Sequence, residues 1–471
     1  MNHPSKRKPP RRDVPHHVPL CLKAFMRMLL QTHFRHTLQS AQLGFYDRIF
    51  TPAVTLWCMI FQRLNPDHSL HGSVAHLRSG GADQLARDKT RPPSSKIKSS
   101  ASSAFSKARK RLPLDLLSGL LQASVRDVWS ELGDEGKWRG LRVLLLDGSL
   151  LTLRPHPGVT RHLPASSNDR GKYYWVMMRV VATFCAHTGM VVASAAGSTT
   201  TSEQALAIGQ INSDTAGSLY LGDRNFGVRQ MVQAVRQASS HCLFRMVGYR
   251  ARKLASGDAL LQRPGDYPLS WTPSFTDRKH RNCSPEPIPG RLIVARYSRP
   301  GFRTRWIYLF TTLMDAARYP AESLVELYAL RWQAEINLRH LKTQMNLDTL
   351  DVKSTDMAQK EWLAGLMAYN LVRLTMCAAS PPTPEILKTP ISFSDARRVL
   401  LFWLLSNDLC RPFARSFQSL VNSIAKARLP VRKKPRPPEP RASRHKRESF
   451  PPLRGDRSLA RQKLADINLK S

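Results

Sequence analysis

The chain reads as an α/β protein in which a basic helical region precedes a mixed sheet. Three observations predict this. Residues 20–135 place apolar side chains at helical spacing, as in CLKAFMRMLLQTHFRHTLQSAQ and TPAVTLWCMIFQRLN. From about residue 141 the texture changes to short apolar runs such as LRVLLLD, MVVASAAG, SLYLGD and HCLFRMV. Helix-period segments alternate with the later runs, which is the order that builds a mixed α/β sheet. At 471 residues the chain has room for a large core and two or three domains.

Taken in order, residues 1–19 (MNHPSKRKPPRRDVPHH at their start) have no apolar signal core and are expected to form a disordered basic arm. Residues 20–135 form the helical domain, with a Gly/Pro-rich loop over 79–94. Within it, SASSAFSKARKRLPLDLLSGLL sets Ala101, Ala104, Phe105, Ala108 and Leu112 on one side and Lys107, Arg109, Lys110 and Arg111 on the other. Pro113 then ends one helix and opens the next. A short helix with a small-residue face and a cationic face suits a DNA groove, although an ordinary surface helix carries the same pattern.

Residues 136–247 hold the first part of the sheet. KYYWVMMRVVATFCAH and MVVASAAG read as paired strands with a tight turn at His187-Thr188-Gly189. SEQALAIGQI reads as a helix capped by Thr201 or Ser202, with Glu203 in its first turn. Residues 248–304 rise in Gly, Pro, Arg and Ser and read as an insertion containing strand fragments. Over 305–411 the strand RWIYLFTTL resumes the sheet, and Pro320 introduces a long helix. The tail, 412–471, is expected to be basic and mostly disordered; its segment 426–447 holds ten Lys or Arg against one acid, Glu439.

The formal net charge is +38, from 72 Lys and Arg against 34 Asp and Glu. Such a charge makes an acidic polymer the first candidate partner, since phosphate neutralisation with counterion release drives association. No apolar run approaches the length of a membrane span and no lysine-rich amphipathic helix stands out, so a membrane surface is the weaker reading. Seven scattered cysteines without a CxxC pair argue against a zinc site or a disulfide framework. The expected setting is the cytoplasm.

Two aspartates, Asp147 and Asp223, each end a short apolar run. A carboxylate there loses its charge unless a cation relieves it, though each alone also fits a loop-start cap. A third acid, Glu335, lies in YALRWQAEINLRHLKT, residues 328–343. At about 100° per residue, Tyr328, Arg331, Glu335 and Lys342 project within about 60° of one another, beside the apolar stripe Leu327, Leu330, Ala334, Leu338, Leu341 and Met345. Three acids from two strand ends and one helix can hold two divalent ions by oxygen ligation, and Mg2+ suits such a site. Two ions about 3.5–4 Å apart clamp the attacking and leaving oxygens of an in-line phosphoryl displacement. No GxxxxGK[ST], HExxH or GxSxG pattern competes.

The spacing Tyr328-x2-Arg331-x3-Glu335-x6-Lys342 resembles the YREK signature of DDE-type bacterial insertion-sequence transposases, the group numbered four. Asp147 in LLLDGS and Asp223 in LGDRNFG match that family's two aspartates, and the resemblance spans about residues 40–375. Asn225 stands where the family often has glycine, a change expected to alter the local turn more than the chemistry. The resemblance implies an RNase H-like core interrupted by the insertion and preceded by a helical DNA-binding domain. It implies Asp147, Asp223 and Glu335 as the catalytic, metal-binding set for two Mg2+ ions, with Mn2+ able to substitute. Tyr328, Arg331 and Lys342 would then grip DNA phosphates. Trp332 either stacks on an unpaired base or packs under the insertion, and Arg224 either meets a phosphate or orients Asp223. The implied activity is cleavage of the element's ends and joining of the 3′-hydroxyl to target DNA, by a dimer on double-stranded DNA in the bacterial nucleoid. Two rivals share these residues: a nuclease of the same fold without strand transfer, and an inactive descendant that only binds DNA.

Overall fold

A nine-stranded sheet carries the site. Its strands are β1 (Arg142–Leu153), β2 (Val176–Cys185), β3 (Val191–Ser198), β4 (Ser218–Gly222), β5 (His241–Arg245), β6 (Gly265–Trp271), β7 (Ile288–Tyr297), β8 (Arg305–Thr311) and β9 (Thr349–Leu350). They lie in the order β3-β2-β1-β4-β5-β8-β7-β6, with β9 pairing beside β1. β1, β4 and β5 run parallel; β2 and β3 on one side, and β8, β7 and β6 on the other, pair antiparallel. The computed structural model describes residues 48–430 and 455–468, apart from 87, 89, 164–166, 169–170, 173–174, 256–262, 280–282, 298–304, 380–389 and 407–412. The basic arm, the helix read over 21–42 and most of the basic run 426–447 lie outside the described residues.

An antiparallel β1-β2-β3 unit beside parallel β1, β4 and β5, flanked by helices, is the RNase H-like arrangement expected. The segment 248–304 contains strands, and β6 and β7 extend the same sheet through β8. A sequence-only reading detects strand fragments there but not whose edge they join.

The helices preceding the sheet are α1 (Pro52–Leu64), α2 (Leu70–Arg78), α3 (Ser103–Arg111) and α4 (Leu114–Leu132). Thr51 and Ser69 cap the first two through their hydroxyls. Beyond the sheet's first half come α5 (Glu203–Ile208), α6 (Arg229–Gln237), α7 (Gly248–Leu254), α8 (Ala321–Tyr328), α9 (Trp332–Arg339), α10 (Thr355–Ala379), α11 (Phe393–Leu405) and α12 (Phe413–Ala425). α12 lies within the span read as mostly disordered tail, yet Phe417, Leu420, Val421 and Ile424 are buried, so this helix is part of the packed core.

α10 is the organising helix of one face. It is the one described helix long and apolar enough to cross a membrane by length and composition, but 89% of its apolar window is buried inside the protein. Its Asn370 accepts from Val191 N and donates to Val191 O, both at 2.8 Å, as a neighbouring strand would. That covers part of the β3 edge. Tyr369 donates to Gly189 O at 2.9 Å, in the tight turn where Gly189 adopts φ +70.

α10 also ties the helical domain to the sheet. Glu361, 3% exposed at its side chain, receives Arg63 at 2.5 Å and Arg109 at 2.6 Å. Arg63 adds a bond to the Asn346 carbonyl. Burial alone pushes the Glu361 carboxyl up, yet the two guanidinium groups outweigh it and hold it below the usual range. Arg109 was expected on the cationic outer face of α3. The structure turns it inward, because Glu361 on a distant helix supplies the countercharge that lets it be buried.

Removing one member of such a triad leaves buried charge uncompensated. Glu361→Ala is expected to cost about 3–5 kcal/mol in urea unfolding of the full chain. Replacing Arg63, Arg109 and Glu361 together with apolar residues of similar volume is expected to cost far less. Equal losses would show that the three do not act as a unit. Because the folded carboxyl is held low, the triad's contribution is present above the ordinary glutamate pKa and lost as pH falls through the lower folded value.

Candidate active site

Alternation along β1 and β4 decides where the aspartates point. Val143, Leu145, Leu151 and Leu153 enter the core shared with α10, whereas Leu144 and Leu146 enter the core under the opposite face. On β4, Leu219 and Leu221 face the first core and Tyr220 the second. Continuing the period, Asp147 and Asp223 project from the face covered by α9 and α10. Parallel pairing of β1 with β4 ends at Leu145 opposite Leu221. Two residues further on, each strand carries its aspartate, so the two stand level where the pairing stops. Asp147 is not at the end of its own strand, since β1 continues to Leu153 against β2. It sits where the neighbour β4 leaves, which opens space beside it.

The third acid arrives on a helix that is not continuous. α8 passes through a 3-10 turn, Ala329–Arg331, into α9, and then into a π turn, His340–Gln344. The expected uniform 100° advance therefore holds only piecewise. Glu335 keeps its place on the inner edge, between buried Ala334 and Leu338. Lys342 lies within the π turn and pairs with Asp348 at 2.8 Å. Just beyond, β9 pairs parallel with Thr152 and Leu153, tying the helix back to β1.

The three carboxylates act on one another. Burial pushes the Asp147 carboxyl up to about 7; the Gly148 N–H and Arg331 oppose this, and the charges of Asp223 and Glu335 reinforce it. The Gly148 N–H reaches Asp147 Oδ1 at 2.9 Å, and the Asn225 N–H reaches Asp223 Oδ1 at 2.8 Å. Glu335, 39% exposed, is held by Arg331 at 2.6 Å. As placed, no three His, Cys, Asp or Glu side chains among the described residues converge closely enough to hold one ion. The donor set nevertheless fits a hard divalent cation. It offers carboxylate oxygens only, one of them carries an ionisation cost that a cation would relieve, and Arg331 now supplies positive charge to Glu335 and Asp147 alike.

The other predicted residues divide. Tyr328 is buried and, without DNA, donates to the Gly222 carbonyl at 3.3 Å, so it braces the strand end bearing Asp223. Its hydroxyl is pushed up by burial. Trp332 is 59% exposed, so its ring is not packed beneath other elements. Arg224 is exposed beside Asp223. Lys107, Lys110 and Arg111 are exposed on α3, and Lys107 and Arg111 flank a groove of about 1010 Å3 with Arg48, Lys96 and Lys98. Ala101 and Ala104 line this groove instead of the core. One residue escaped the sequence reading. Arg245 ends β5 one residue past the Gly222–Phe244 pair, level with Asp223, and its charge acts on Tyr328. An arginine closing the apolar run HCLFR was the available signal.

Residues 138–371, which span all three acids and the YREK spacing, match the family model of the transposase DDE domain. The chain belongs to the IS4-type DDE transposases. This DDE transposase is 23% identical over 360 residues to the transposase InsG for insertion sequence element IS4 of Escherichia coli (strain K12), covering 74% of this chain and 75% of that one. Among solved structures it resembles the piggyBac transposase synaptic complex with hairpin DNA, at 12% identity and a TM-score of 0.41, over 89% of this chain and 88% of that one. It is a DNA-cleaving and DNA-transposing enzyme.

The raised Asp147 value has a stability consequence. The folded carboxyl holds its proton up to about 7, whereas the unfolded one releases it near 3.8. Stability from this group is therefore full below the unfolded value and is lost as pH rises through about 7. In protein stripped of divalent ions, Asp147→Asn is expected to raise the melting temperature by an amount that grows from pH 5 to pH 8. A gain that stays flat across that range would mean Asp147 is ionised throughout.

Proposed function

We propose that this transposase binds the ends of its own mobile element, hydrolyses the phosphodiester at each end and joins the freed 3′-hydroxyl to target DNA. The observation that carries this reading is the level placement of Asp147 and Asp223 on adjacent parallel strands, beneath the helix bearing Glu335. Those three carboxylates would hold Mg2+, as two ions and with Mn2+ as a substitute. Bound there, the metal supplies Lewis-acid stabilisation of the charge on the attacking and leaving oxygens. The rest belongs to the chain's own side chains. Arg331 exchanges its bond to Glu335 for a scissile phosphate oxygen, and its fork fixes that phosphate bidentately. Lys342 leaves Asp348 for a neighbouring phosphate and adds a point charge. Tyr328 and the Gly222 carbonyl keep Asp223 in place while this happens.

DNA is proposed to run from the groove beside α3, with Lys107, Lys110 and Arg111, to Arg224 and Trp332. The exposed Trp332 ring is available to stack on a base unpaired at the cut end. Double-stranded DNA held at two ends calls for a homodimer on DNA, and the place of work is the bacterial nucleoid. Dissociation of that complex is expected to be strongly salt-dependent, as the +38 charge requires.

Cleavage of the element's terminal DNA by purified protein, in Mg2+ and in EDTA, tests the reading. End-specific cuts in Mg2+ that vanish in EDTA and in Glu335→Ala are expected, followed by joined products. Cuts without joined products would favour a nuclease, and binding without cuts an inactive descendant. A second measurement addresses the phosphate contacts. In EDTA, Arg331→Ala and Lys342→Ala are each expected to reduce the slope of log K against log salt by about 1. An unchanged slope in both would place the DNA elsewhere.

A further inference from the structure

Asp147 and Asp223 face α9, but the backbone that carries them is gripped from the opposite side of the sheet. Gly148 points toward the second core, where α5 lies against β2 and β3. A Cβ at position 148 would come within 2.7 Å of Glu203 Cδ and 2.9 Å of its Oε1, so the carboxylate rests directly against the residue after Asp147. The same carboxylate accepts a short hydrogen bond from the Asn225 side-chain amide. Gln204 donates to the Asn225 carbonyl at 2.8 Å and to its side-chain oxygen at 2.7 Å. The Asn225 N–H in turn closes the turn on Asp223 Oδ1.

Glu203 itself is firmly seated. It opens α5, whose start is fixed by the Ser202 hydroxyl accepting from Ala205 N at 3.1 Å. Arg179 holds the preceding Thr201 carbonyl at 2.6 Å. One rigid carboxylate thus touches the neighbour of one aspartate and the turn of the other. We propose that Glu203 is a positioning residue of this transposase, which, through Gly148 and Asn225, sets the separation and orientation of Asp147 and Asp223 without binding metal itself. Asn225 is its partner. The two are joined directly by the Asn225 side-chain amide, which donates to the Glu203 carboxylate. Outer-shell contacts of this kind orient ligating carboxylates, and their loss weakens metal binding while leaving the fold in place.

The proposal rests on the three-acid reading above, and its test separates the two. Mn2+ binding to the full chain, without DNA, is measured by calorimetry for wild type, Asp147→Ala, Glu203→Ala, Glu203→Gln and Asn225→Ala. Hydrogen exchange of the backbone over 219–229 is measured on the same proteins free of metal. Glu203→Ala and Asn225→Ala are expected to weaken Mn2+ binding by about 10–100-fold. Both are expected to speed exchange around the Asp223 turn, with melting temperatures close to wild type. Glu203→Gln keeps a carbonyl oxygen for the Asn225 amide and is expected to restore most of both readouts. Wild-type affinity together with unchanged exchange in Glu203→Ala overturns the proposal. So does a Glu203→Gln variant as impaired in Mn2+ binding as Asp147→Ala, which would make Glu203 a ligand. If instead wild type binds no Mn2+ that Asp147→Ala abolishes, the three-acid reading fails; the exchange data then still decide for or against the brace.

Discussion

Like charges gathered in a half-buried place are the constraint to which the rest of this structure answers. Asp147, Asp223 and Glu335 repel one another, and burial together with the other two charges lets Asp147 keep its proton up to about 7. Every local device around them either supplies positive charge or prevents the carboxylates from moving apart. Arg331 does the first. Backbone N–H groups of Gly148 and Asn225, and the Tyr328 strut to Gly222, do the second. In this DNA-free state the cations of the signature helix are occupied by the protein's own acids. Under the proposed function, DNA phosphates would replace the acids as partners of Arg331 and Lys342, and metal would replace Arg331 as the partner of Glu335.

Parallel strands make the gathering possible. Adjacent parallel strands end on the same edge, so two aspartates at matching register positions meet without any loop having to carry them. A helix crossing that edge needs only one inward carboxylate to complete the set. The antiparallel strands β8, β7 and β6 widen the sheet on the side of Arg245, lengthening the platform beside the site.

Much of this was legible in the sequence, and the failures have physical reasons. Asp147 and Asp223 showed themselves as acids closing apolar runs, and Glu335 by its spacing from Tyr328, Arg331 and Lys342. Period-2 and period-3.6 patterns depend on neighbours in the chain, so they survive without a structure. Arg109 misled because its countercharge, Glu361, comes from a helix far along the chain, and a helical wheel contains no such partner. The wheel also assumed a uniform helix, whereas a 3-10 turn and a π turn interrupt this one. For β6 and β7, the run of Gly and Pro hid which strand edge they join. At α12 the helical period of Phe417, Leu420, Val421 and Ile424 is present in the sequence, but the Arg- and Pro-rich residues that follow dominate the composition there.

The buried triad of Arg63, Arg109 and Glu361 has a temporal consequence. Chains emerge from the ribosome N-terminus first, so α1 and α3 are made with two arginines destined for the interior long before their carboxylate exists. Until residue 361 has been translated, both the countercharge and the helix that covers the two arginines are missing, and their side chains stay in water. The helical domain therefore acquires its final packing only after both aspartates and the glutamate have been synthesised. Any shortened product ending before α10 would expose those two arginines to solvent as additional positive charge on the helical domain.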